Sequence, residues 1–376
     1  MPTTLSDQVL ELALAIQQIP APTFDEGKRA AFMRQQFQAA GLSDVQIDAV
    51  GNVLGRLPGR GEKRPLVVSA HLDTVFPSST DLTARLDPQQ IAAPGIGDNS
   101  TGLAGLLGLV WALHEKNQKQ PVEGRRTLPG DVWLVANVGE EGLGNLRGMQ
   151  AVMDRFESLP LAYIVLEGIA LGAVYHRGLG VQRYQITAQT PGGHSWKDYG
   201  KPSAIHELAM LITQLIGLTL PAQPPTTLNV GVIAGGTSVN TIAAEAHLEL
   251  DLRSEDARIL AKLSSQVEAL VQAANRSNVQ VAAKIIGQRP AGEIPPDHPL
   301  VLLAMRCLEE QGISPRRAIG STDANLPLSR GLPSITVGLT TGEGAHTMQE
   351  AIHTRPLAQG LTQLSALVEG VFQITA

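Results

Sequence analysis

Apolar residues recur at helical spacing over 9–16, where Pro20 and Pro22 end the pattern, and again over 25–40, which stops at Gly41. Glycine just past a helix enters the left-handed conformation without a Cβ penalty. The run Pro65-Leu-Val-Val-Ser-Ala70 is short and almost wholly apolar, the signature of a strand covered on both faces. Similar runs stand at 131–138 and 162–166, and one more strand is expected over 45–53. Helical patterns at 99–113 and 146–156 separate them. Strands alternating with helices predict an α/β layer on a largely parallel sheet. The polar stretch 116–129, with its Pro and Gly, reads as a surface loop.

After Gly178 the period changes. Positions 181–190 alternate apolar and polar, as in a half-exposed strand. A helix follows over 202–217, strands over 226–233 and 241–252, a helix over 254–274 with an acidic start, and a strand over 279–286. The order β-α-β-β-α-β is the split βαβ, ferredoxin-like pattern. Beyond Gly292 the α/β pattern resumes as a helix over 298–311, a strand over 333–338 and a helix over 356–372. The expected architecture is one α/β domain, 1–177 and 291–376, interrupted by an α+β domain, 178–290.

Composition narrows the classes of function. A chain of 376 residues can bury ample core without staples. Its single cysteine excludes a disulfide framework and a thiolate-rich zinc cage. Cys307, inside an apolar run, reads as a small buried hydrophobe. The net charge is −6 with no Lys/Arg block, which argues against nucleic acid or an anionic membrane as partner. Residues 1–17 carry Asp7 and Glu11 and lack the basic start of a signal peptide, and the apolar window 103–113 is too short to span a bilayer. The expectation is a soluble, cytoplasmic protein.

The chemistry gathers where strands give way to loops. His71 and Asp73 are two apart, so an extended backbone turns them to one side, and a carboxylate there can fix the tautomer of a metal-bound imidazole. Gly95-Ile-Gly-Asp-Asn99 leads into a helix, where Asp98 could be only an N-cap. Two other motifs fail at this place. A dinucleotide fingerprint would need Gly where Ser100 stands, and a nucleophile elbow would need Gly where Asp98 stands. Glu140 and Glu141 follow the strand 131–138, and adjacent carboxylates there repel unless a cation or proton lies between them. Glu167 ends another buried strand, and His346 follows a Gly-bearing turn. Two imidazoles and four carboxylates suit two divalent cations about 3.5–4 Å apart, with one carboxylate shared and one left as base.

The ordered motifs Ser69-Ala-His-Leu-Asp-Thr-Val75, Gly97-Asp-Asn-Ser-Thr-Gly102, Gly139-Glu-Glu-Gly142, Gly192-Gly-His-Ser195, Gly320-Ser-Thr-Asp-Ala324 and Ala345-His-Thr347 resemble the co-catalytic zinc metallopeptidase and deacylase superfamily. Its members include glutamate carboxypeptidase, acetylornithine deacetylase, succinyl-diaminopimelate desuccinylase, aminoacylase and peptidase T. The resemblance covers nearly the whole chain. It implies a zinc-exopeptidase-like three-layer catalytic domain with an inserted ferredoxin-like lid and dimerisation domain. It implies two divalent metals, zinc first and cobalt or manganese as alternatives. His71 and Glu167 would bind one metal, His346 and Glu141 the other, and Asp98 both. Glu140 would be the general base acting on a water between the metals, and Asp73 would orient His71. His194 resembles a donor to the carbonyl oxyanion, commonly supplied by the partner subunit of a dimer. Asn240 and Arg253 match positions that bind a substrate carboxylate. A lone surface Arg253 near Glu255 and Asp256 is the competing reading.

The resemblance implies hydrolysis of an amide bond in a small peptide or N-acyl amino acid. A Glu at position 167 tilts the expectation toward carboxypeptidases and deacylases. The alternatives are a non-catalytic metal- or small-molecule-binding relative on the same fold, and a serine hydrolase using Ser100 or Ser195. His206, His247 and His353 match no metal position. Aromatic residues are 3% of the chain, yet Trp196 and Tyr199 cluster beside His194, where they could line a substrate pocket or pack the lid strand.

Overall fold

The computed structural model describes residues 4–118 and 128–374. The chain divides into two compact units, 1–178 with 293–376, and 179–292. The first is built on a mixed sheet. Its strands run in the spatial order Ser43–Ile47, Val53–Leu57, Val132–Asn137, Leu66–His71, Tyr163–Glu167, Ser334–Gly338, Ala173–Gly178, with Arg316–Gly320 also paired to the last of these. The four central strands are parallel to one another, and both flanks carry antiparallel pairs. Leu66–His71 is buried at every position, with a strand on each edge and the helix Gly102–Gln118 packed on it. Helices Leu5–Gln17, Gly102–Gln118, Pro299–Glu309 and Leu357–Val371 pack on one another and close a core that includes Val9, Leu106, Val110, Leu361 and Leu364.

Thr4 caps the first helix by accepting from Asp7 N, while the Asp7 carboxylate reaches back to Thr4 N. Cys307 is buried, and burial pushes its thiol up to about 11, so it behaves as a hydrophobe.

The inserted unit has the strand order Thr226–Gly235, Glu245–Ser254, Gly180–Gln189, Gln280–Arg289, antiparallel throughout. Helices Ala204–Ile216 and Ala257–Ala273 cover one face. Along Glu245–Ser254 the buried positions alternate strictly, so Leu248, Leu250 and Leu252 meet Leu211, Leu215, Leu263 and Val267 in a separate core. This is the ferredoxin-like arrangement.

Several expectations need correction. The strand expected over 45–53 is a hairpin of Ser43–Ile47 and Val53–Leu57. Asp48 bends the chain between them by accepting from Val50, Gly51 and Asn52 amides. The strand expected over 241–252 breaks into Thr241–Ile242 and Glu245–Ser254. Residues 116–118 of the expected surface loop extend the helix Gly102–Gln118, and 119–127 lie outside the described residues. A small sheet of Arg85–Leu86, Gln90–Ala92, Gly342–Glu343 and Ala351–His353 has no counterpart in the sequence pattern. No helix among the described residues is long and apolar enough to cross a membrane.

Candidate metal centre

Strand register assembles the centre. His71 pairs with Asn137, Ser69 with Val165 and Gly338 with Glu167, so His71 and Glu167 end their strands in one row. Neighbouring strands lie about 4.8 Å apart, and residues in one row point to one side. His71 Nε2 accordingly lies 3.8 Å from Glu167 Oε2. The same nitrogen lies 2.9 Å from Asp98 Oδ1.

Asp98 stands on an irregular turn, Ile96–Thr101, in which Asp98 and Asn99 leave helical φ/ψ. The helix expected from 99 therefore starts at Gly102. Asp98 Oδ2 lies 3.0 Å from His346 Nε2, which lies 3.1 Å from Glu141 Oε1. His346 adopts a left-handed backbone at φ 64, a conformation that costs a non-glycine residue about 1–3 kcal/mol and tends to mark functional positions.

Two trios result. His71, Asp98 and Glu167 can each place a ligand atom within 4.8 Å of the others, and so can Asp98, Glu141 and His346. Asp98 belongs to both. A third trio, His71 with Glu140 and Glu141, puts the remaining carboxylate beside them. The donor set is oxygen and imidazole nitrogen, which suits zinc, cobalt or manganese. Asp98 Oδ1 and Glu141 Oε1 are buried, and each faces only an imidazole nitrogen, a place a cation can take between oxygen and nitrogen donors. The residues therefore fit two divalent ions.

The protons report the same crowding. Asp98 and Glu141 hold the His346 imidazolium up to about 10. Burial works against a charged His71, but Asp73, Asp98 and Glu167 raise it well above its usual value. Burial pushes Glu167 up to about 7, against the pull of His71. Burial also opposes ionisation of Asp98, yet His346 and His71 hold its carboxyl far below the usual range.

Asp73 sits differently from the expectation of a carboxylate squarely on His71. His71 Nδ1 meets the Asp73 main-chain carbonyl at 3.0 Å, and the carboxylate is 3.6 Å away. That carboxylate accepts from the amides of Glu140 and Glu141 at 3.0 and 2.8 Å and from Thr23 Oγ1 at 2.9 Å. One residue thus fixes the imidazole and aims the two glutamates.

Sequence reasoning missed three supporting residues. Asn99 brackets Glu167, donating to Leu166 O at 2.8 Å and accepting from Gly168 N at 3.2 Å. Asp323, fully buried in Gly320-Ser-Thr-Asp-Ala324, accepts from Asn137 Nδ2 at 2.7 Å, and its charge adds to the rise of Glu167. Glu350 is fully buried, and burial pushes its carboxyl up to about 7 while backbone amides oppose this. An acidic residue four positions after His346 was the only available signal for it.

Within the inserted unit, the two-residue strands Gly193–His194 and Thr241–Ile242 pair, and Ser195 N donates to the Asn240 carbonyl at 3.0 Å. His194 and Asn240 are therefore neighbours. His194 Nδ1 accepts from Trp196 N at 3.2 Å, which turns Nε2 outward from the turn. Trp196 and Tyr199 are 86% and 91% exposed in this unit, so they do not pack the lid strand. Tyr199 lines a cavity of about 630 Å³ with Lys201, Ile205, His206 and Val239. Arg253 is paired with Asp251 at 2.7 Å, because alternate residues of a strand share a face, and not with Glu255 or Asp256. Asp251 also holds Arg183 at 2.8 Å.

The family model for a peptidase dimerisation domain matches residues 179–279, and that for peptidase family M28 matches 52–169. A tripeptidase from Staphylococcus aureus has a similar fold, with a TM-score of 0.81 and 21% identity over 98% of this chain and 99% of that one. Aminopeptidase PepT from Bacillus cereus gives 0.78 and 21% over 97% and 98%. YxeP from Bacillus subtilis, described as a dinuclear metal binding peptidase from the M20 family, gives 0.70 and 15% over 99% of each chain.

Proposed function

We propose that this chain is a metallohydrolase of the co-catalytic metallopeptidase superfamily and that it cleaves an amide bond in a small peptide. The observation that carries this reading is Asp98 shared by two imidazole–carboxylate trios with Glu140 beside them. Two bound divalent cations, zinc first among them, would supply Lewis acidity and lower the pKa of a shared water. His71 and Glu167 would hold one cation, His346 and Glu141 the other, and Asp98 both. Glu140, only 5% exposed, takes a proton from the attacking water and delivers it to the leaving nitrogen as the C–N bond breaks. His194 donates to the carbonyl oxygen as charge develops there. Asn240 and Arg253 bind the substrate carboxylate, Arg253 through its guanidinium fork.

A homodimer formed through the inserted unit is part of this reading, and the spacing of these residues is what favours it. Asn240 lies beyond the Glu245 end of the strand Glu245–Ser254, while Arg253 lies at its other end. The eight steps from 245 to 253 span roughly 27 Å at about 3.4 Å each, too far for both to grip one small substrate from a single copy. Strand Thr226–Gly235 lies at the sheet edge with Val232 and Ile233 exposed, and Met210 and Ile216 are exposed on the helix Ala204–Ile216. Such an edge with apolar surface beside it is suited to a second copy.

The test compares dipeptides, tripeptides and N-acyl amino acids with Zn²⁺, Co²⁺ and Mn²⁺. Hydrolysis of a peptide is expected, with loss in chelator. Glu140→Ala should keep both cations and lose about 10²–10⁴ in kcat. Unchanged turnover in Glu140→Ala, or activity indifferent to chelators and lost to serine-directed reagents, would sink the mechanism. N-acyl amino acids are the second reading, favoured by the glutamate at 167.

A further inference from the structure

The segment that presents Asp98 is a kinked turn and not a regular helix. Gly95 is left-handed at φ 73, and Asp98 and Asn99 depart from helical geometry. Its amides instead converge on one side chain. Glu350 Oε1 accepts from Gly97 N and Asp98 N at 2.7 Å each, and Oε2 accepts from Gly95 N at 2.9 Å. The Glu350 main-chain carbonyl accepts from Ala93 N at 2.9 Å, so side chain and backbone bind the same segment. Glu350 itself is anchored, since the next residue opens the strand Ala351–His353, which pairs with Gln90–Ala92. It also closes the loop that carries His346. A buried carboxylate is costly unless strong donors meet it, and three backbone amides do so here. Both of its oxygens are spent on those amides and not on either trio.

We propose that Glu350 is a positioning residue that sets the Asp98 loop, and ties it to the His346 loop, before any cation arrives. This rests on reading Asp98 as the shared ligand. It assigns Glu350 no contact with metal or substrate. Its effect is on how well Asp98 is aimed, so its loss lowers cation affinity in addition to turnover.

The test uses the full chain and two variants. Glu350→Gln keeps the shape but gives one amide a donor to face. Glu350→Asp keeps the charge but withdraws it by one methylene. Each is titrated with Zn²⁺ against a chromophoric chelator and with Co²⁺ by visible absorption. Folded variants should bind at least one cation about 10–100-fold more weakly, with an altered Co²⁺ spectrum. Wild-type affinity and spectrum in either folded variant would overturn the proposal. A wild-type chain that binds no cation would instead remove the metal-centre reading, and this inference with it. Should both variants fail to fold, hydrogen exchange of wild-type residues 93–101 decides. Protection already present without metal supports Glu350 as the organiser. Exchange at solvent rates until Zn²⁺ is added overturns it.

Discussion

Asp98 is flanked by two imidazoles at 2.9 and 3.0 Å, and this sets how the metal-free protein responds to rising pH. His346 carries its proton up to about 10 because Asp98 and Glu141 favour the imidazolium. A raised folded-state value means this ion pairing stabilises the metal-free fold fully below about 6.5, the ordinary imidazole value, and is lost as pH rises through about 10. A cation must displace that proton. Zinc affinity is therefore expected to rise with pH from neutral toward 10, with protons released on binding. Calorimetry in two buffers of different ionisation enthalpy checks this: equal heats at pH 7 would show that no proton leaves. His71, Glu140, Glu141 and Glu167 could be picked out because each ends or follows a short apolar run, and Asp98 and His346 because each follows a Gly-bearing turn. Asn99, Asp323 and Glu350 were not, since their partners lie 67, 186 and 255 residues away and no local pattern reports them.

At the scale of elements, the strand Tyr163–Glu167 and the Asp98 turn approach so closely that Gly168 faces the Gly97 carbonyl directly. A Cβ at 168 would collide with that oxygen and crowd Thr101. Gly168→Ala should therefore cost about 1–3 kcal/mol of stability and weaken metal binding, because the turn must move away from Glu167. Thermal melting with and without Zn²⁺ tests it; an unchanged melting temperature in both states would contradict the crowding. The long buried strands and amphipathic helices were readable from period alone. The hairpin at 43–57 was not, because the apolar positions 45, 47, 50 and 53 suggested one continuous strand and the bend comes from Asp48 accepting three amides. Arg316–Gly320 escaped notice for a different reason: Arg316 and Arg317 mask a strand at the sheet edge.

For the whole molecule, the two compact units divide the chemistry. All six residues of the trios belong to the first, and His194, Asn240 and Arg253 belong to the insert. The ferredoxin-like order was legible because its strands alternate apolar and polar while those around them are apolar throughout. If His194 serves a second copy, a His194→Ala chain mixed with a Glu140→Ala chain should recover roughly a quarter of wild-type activity, since half of randomly paired dimers are mixed and each holds one complete site. No recovery after confirmed subunit exchange would count against shared sites. The separation along the chain has a further effect during synthesis. His71, Asp98 and Glu167 are translated before the insert, but His346 comes 248 residues after Asp98. At about 5–20 residues per second the ribosome needs roughly 12–50 s to cover that interval. Throughout it the nascent chain offers Asp98 only one imidazole. A chain encoded in this order completes its second trio only after the whole insert has been made.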